Sequence, residues 1–98
     1  MKMKNLAENF GKNETLAKDI VGMFRIYQNL ADSLSMHIRL NSAYDDIGIA
    51  SSMVREALND LKNFCVKRIN LKNRELVFKY IRRFLDKDEI LVLNSLLN

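Results

Sequence analysis

The sequence predicts an all-α fold, a four-helix bundle with a short N-terminal helical segment, in one domain spanning 1–98. Three observations carry this expectation. The chain has no proline and only 3 glycines, where an average sequence of its length holds about five and about seven. Its apolar residues return at steps of three and four, the helical period. Its turn signals are brief, so the helices must be joined by short connections.

The elements follow in order. Residues 1–12 read as a helical lead-in, with Leu6, Ala7 and Phe10 on one face and Gly11 as a left-handed stop. Helix 1 is expected at 14–40, capped by Asn13 with Glu14 in its first turn, where negative charge suits the helix dipole. Leu16, Ile20, Met23, Tyr27, Leu30 and Leu34 form its seam, with Ala17, Phe24, Ala31 and Ile38 alongside. A stripe that wide suits a bundle helix better than a two-stranded coiled coil.

Helix 2 is expected at 46–69, capped by Asp45 or Asp46. Its apolar face runs through Ile47, Ala50, Val54, Ala57, Leu58, Leu61, Phe64 and Cys65. Asn73 is the expected cap of helix 3 at 74–85, whose apolar residues from Leu76 to Leu85 cover an arc of about 200°. Asp86 and Glu89 stand at capping-box spacing before helix 4, at 87–97, which is apolar almost all round. A small monomer has little interior in which to hide two such arcs. They point to a homodimer through helices 3 and 4; the alternative is that helix 4 plugs the centre of its own bundle. The expected core is Leu16, Ile20, Phe24, Tyr27, Leu34, Val54, Leu58, Leu61, Phe64, Ile81 and Phe84.

The formal net charge of +4 is unevenly spread. Residues 1–50 are neutral. Within 62–83, Lys62, Lys67, Arg68, Lys72, Arg74, Lys79, Arg82 and Arg83 are opposed by Glu75 alone. Cations at helix C-termini complement the macrodipole, which accounts for Lys67, Arg68, Arg82 and Arg83 but not for Lys72 and Arg74 near the start of helix 3. The other reading is an anion-facing surface. Arg74, Phe78 and Arg82, at steps of four, could set an aromatic ring between two guanidinium groups. The candidate partner- or anion-binding residues are therefore Arg68, Lys72, Arg74, Phe78, Lys79, Arg82 and Arg83. An acidic protein partner is the first expectation and nucleic acid, bound by the same patch, the second.

Catalytic signatures are lacking. His37, near the end of helix 1, fits a dipole-compatible residue, and Cys65, on an apolar face, fits a packed thiol. Asp86, Asp88 and Glu89 lack the glycine and ligand count of a calcium loop. There is no phosphate-binding glycine loop and no zinc spacing. The sequence thus predicts a non-enzymatic interaction or regulatory protein without cofactor or metal, of the kind seen among inhibitors, antitoxin-like factors and immunity proteins. The longest apolar run, Ile90–Leu93, falls short of a membrane span or a signal-peptide core. A single cysteine and no export signal lead to the expectation of a cytoplasmic protein.

Overall fold

A computed structural model describes the backbone of residues 2–40 and 43–98 and the side chains from Gly11 onward within those ranges. Its elements are α1 (Lys2–Arg39), α2 (Tyr44–Arg68), α3 (Arg74–Ile81) and α4 (Lys87–Leu97). Among the described residues every regular element is helical. The all-α fold expected from the apolar periodicity is therefore present.

α1 and α2 pair as a long antiparallel hairpin. α3 packs on α1, and α4 on α2. The hairpin is far longer than the two helices that cover it, so the molecule is a rod with extents of 60 × 24 × 20 Å. The core lies beside the middle of α1 and the last turns of α2. Ala17, Ile20 and Phe24 from α1 meet Leu61 and Cys65 from α2, Val77, Phe78 and Ile81 from α3, and Leu85 and Leu93. Each large apolar side chain buried there stabilises the fold by about 1.5–3 kcal/mol. Between Phe24 and Leu61 no described residue is fully buried. In that distal half the two helices have only each other, and Leu34, Val54 and Leu58 are half-buried between them.

The lead-in differs from expectation. Gly11 does not stop a helix, because α1 runs unbroken through it from Lys2. One helical glycine costs only about 1 kcal/mol, less than ending a hydrogen-bonded helix and capping a new one. Asn13 accordingly caps nothing. The expected contact of Phe10 with the bundle and the Asn41–Ser42 connection lie outside the described residues. α2 begins two residues early. Its N-cap position is Ala43, without a side-chain cap, and Asp45 and Asp46 instead place negative charge in its first turn.

Helix 3 is shorter than expected. After Ile81 the chain tightens, with the N–H groups of Arg83 and Phe84 donating to the carbonyls of Tyr80 and Ile81, each at 3.0 Å. This overwound turn brings Leu85 into the core and turns Phe84 outward. Phe84 is 41% exposed, so it is not the core residue expected. Arg25 Nη2 donates to the Phe84 carbonyl at 3.2 Å, tying the turn to α1.

α4 starts as the D-x-x-E spacing predicts. Asp86 Oδ1 accepts from the Glu89 N–H at 2.8 Å, and Glu89 Oε1 accepts from the Asp86 N–H at 3.1 Å. Glu89 also pairs with Arg25 on α1, which anchors the start of α4 against the hairpin. The apolar arcs that suggested a dimer through helices 3 and 4 are largely absorbed within the chain. Val77, Phe78 and Ile81 are buried, as is Leu93, while Leu91 and Val92 remain exposed.

Candidate interaction surface

The basic side chains are arranged by the corner between α2 and α3. α2 ends at Arg68, and Ile69 leaves it in extended conformation. Two asparagines then close the corner on each other. Asn70 Oδ1 accepts from the N–H groups of Lys72 and Asn73, at 2.8 and 3.0 Å. Asn73 Oδ1 accepts from the Asn70 N–H at 2.8 Å, and its amide donates to the Arg68 carbonyl at 3.0 Å. Asn73 was expected to cap α3 with its side chain. It spends that side chain on the corner instead, because a terminal carbonyl of α2 needs a donor. The result is a fixed backbone from Arg68 to Arg74, with Lys72 held at the tip.

Arg68, Lys72, Arg74, Lys79, Arg82 and Arg83 are all exposed. Arg68 and Lys72, with Lys12 and Asp19 of α1, line an open cleft of about 770 Å³ between the hairpin and the corner. Arg74 and Arg82 border a shallow depression with Glu75 and Asn94, and Lys72, Lys79 and Arg82 border a second one around Glu75. Glu75, in both depressions, is exposed beside these cations. Among the described residues the ion pairs are Lys18–Glu14 and Arg25–Glu89, so none of the candidate cations pairs with a described carboxylate.

Phe78 departs from its expected role. It is only 8% exposed and belongs to the core, so it offers no free ring face for stacking. The helical phase of α3 is set by α1, and the 78 position falls on the covered side. Arg74 nonetheless lies over the Phe78 ring, 5.8 Å from its centroid. Two further arginines are held in the same way. Arg68 lies over Phe64 at 5.1 Å, and Arg83 over Tyr80 at 4.8 Å. Phe64, expected in the core, and Tyr80 were not read from sequence as partners of arginines. Their spacing, four residues before Arg68 and three before Arg83, is the signal that could have found them. Such cation–π contacts fix guanidinium planes while leaving their N–H groups available.

The remaining chemistry-bearing residues fall elsewhere. Cys65 is buried in the core, and burial pushes its thiol up from 9.0 to about 11. His37 lies half-buried in the distal half, beside Asp46 and Met53. Among the described residues no group of three or more His, Cys, Asp or Glu is placed to hold a metal ion. No described helix is long and apolar enough to cross a membrane. Comparison with known proteins returns no match to a family model, a curated protein or a solved structure.

Proposed function

We propose that this chain is a non-enzymatic cytoplasmic interaction protein that regulates an acidic partner protein by binding it through the basic surface of α2, the corner and α3. The observation that carries the reading is the state of the arginines. Arg68, Arg74 and Arg83 are each laid on an aromatic ring, exposed, and without an ion pair among the described residues. A guanidinium held in place loses less conformational freedom on pairing with a carboxylate than a free one does. Lys72, Lys79 and Arg82 surround these anchors and supply long-range attraction, which acts mainly on the association rate. Nucleic acid is the weaker match. Burial of Phe78 removes the stacking platform that single strands use, and three of the eight residues of α3 are buried in the core.

The test places a photo-crosslinking residue at Lys79 and identifies what is captured in the native cell. The expected result is one acidic protein. Its capture should disappear in an Arg74→Glu, Arg82→Glu double variant of unchanged helical content. Retained capture would reject this surface. A mobility shift with DNA or RNA that weakens steeply between two salt concentrations would reject the protein-partner reading in favour of nucleic acid.

A further inference from the structure

The hairpin has a second face, open along its distal half and bordered at its other end by the corner and by Leu76 of α3. Along α1, Lys12, Asp19, Ile26, Leu30 and His37 recur at steps of seven, seven, four and seven, so they share one side of the helix. Leu30, Ser33 and His37 line one open groove with Asp46, Ala50 and Met53 of α2. Lys12 and Leu16, on that same side of α1, line the cleft with Arg68. Groove and cleft are thus the two ends of a single face, and this cross-hairpin register sets Ile26 opposite Ala57 near its middle. Ile26, Ile49 and Met53 are exposed on or beside this face, Ile49 at 61%.

We propose that this face binds a second copy of the same chain as a symmetric, antiparallel dimer. Charge selects both the occupant and its direction. One end of the face carries Asp46, and the other carries Lys12, Arg68 and Lys72 against Asp19, so it stays basic. Turning a second copy end over end, about an axis past Ile26 and Ala57, brings each Asp46 level with the Arg68 of its mate. A parallel arrangement would set basic end on basic end. The face is self-complementary, as a two-fold interface must be. Alanines at 50 and 57 let the two α2 helices approach closely.

The area is sufficient. The face runs about 40 Å along α1 at 1.5 Å per residue and about 20 Å across two helices, roughly 800 Å², which is what each partner of a standard interface buries.

Light scattering on a size-exclusion column, over a concentration series, tests the proposal. The expected mass is twice 11.4 kDa at high concentration, falling toward the single-chain value on dilution. Ile49→Asp with Met53→Asp, both at exposed positions, should give a helical monomer. Asp46→Arg and Arg68→Asp should each weaken the dimer by about tenfold, and the two together should restore it, because the swap rebuilds both pairs. Arg74→Glu with Arg82→Glu should leave the mass unchanged, which separates this face from the α3 part of the partner surface, Arg68 being common to both. A monomer at every concentration would overturn the proposal. So would a dimer indifferent to the Ile49 and Met53 substitutions, or a charge swap that restores nothing.

Discussion

Leu91 and Leu93 of α4 have the same chemistry and stand two residues apart, yet Leu93 is fully buried and Leu91 is 67% exposed. Truncating each to alanine is therefore an internally controlled experiment. Leu93→Ala removes the single fully buried side chain of α4 and leaves a space facing the core. Leucine-to-alanine changes in such positions cost about 2–5 kcal/mol, depending on how far the surroundings collapse. Around Leu93 the partly buried Ile90, Leu96 and Leu97 allow some collapse, so about 3 kcal/mol is expected. For a domain of this size each kcal/mol moves Tm by about 4–8 °C, which places the drop at about 12–24 °C. Leu91→Ala removes area already in water and should cost less than about 0.5 kcal/mol, under about 4 °C. Thermal melts followed by circular dichroism, with hydrogen exchange of 87–97, measure both. Equal shifts for the two variants would refute the placement of α4.

Other expectations follow from single contacts. Asp86→Ala should cost about 1 kcal/mol by removing the cap of α4, and Asp86→Asn should recover most of it, read from denaturant midpoints. Glu89→Gln keeps the capping geometry but loses the charge opposite Arg25. It should destabilise by about 0.5–1 kcal/mol at low salt, and the difference should shrink in about 1 M salt. Cys65 has a folded-state pKa raised from 9.0 to about 11 by burial, so the unfolded chain releases its proton first. Stability from this group is complete below pH 9 and declines as pH rises from 9 toward 11, and Cys65→Ser should flatten that decline in pH-dependent melts. Alkylation of native Cys65 at pH 8 should proceed at the rate of unfolding or local opening rather than that of a free thiol.

The helices were legible in the sequence where local chemistry decides them. Asp86 and Glu89 marked the start of α4 because both halves of a capping box lie within four residues. Ile20, Phe24, Leu61 and Ile81 were legible as core because helical periodicity names a face. What periodicity leaves open is which part of a wide face is covered. Phe78 and Phe84 share one apolar arc, and only the docking of α3 on α1 and the tightened turn after Ile81 bury the first and expose the second. Gly11 misled for a related reason: a glycine permits a stop but does not impose one. The run of charge was legible in the sequence, whereas the rings of Phe64 and Tyr80 under two of its arginines, and the paired asparagines of the corner, depend on contacts that a charge count does not register.

The covering helices end halfway along the hairpin, and this gives the rod a gradient of local stability. Amides from 17–24 and 61–65 sit over the core and should open only with the whole molecule, whereas those of 31–39 and 44–54 rest on one helix-to-helix seam and should open at lower free energy. Exchange should therefore quicken along α1 away from the core. If two copies pair on the open face, the slow and fast ends come to lie side by side, and protection of the distal amides should rise with protein concentration while that of the core amides stays constant.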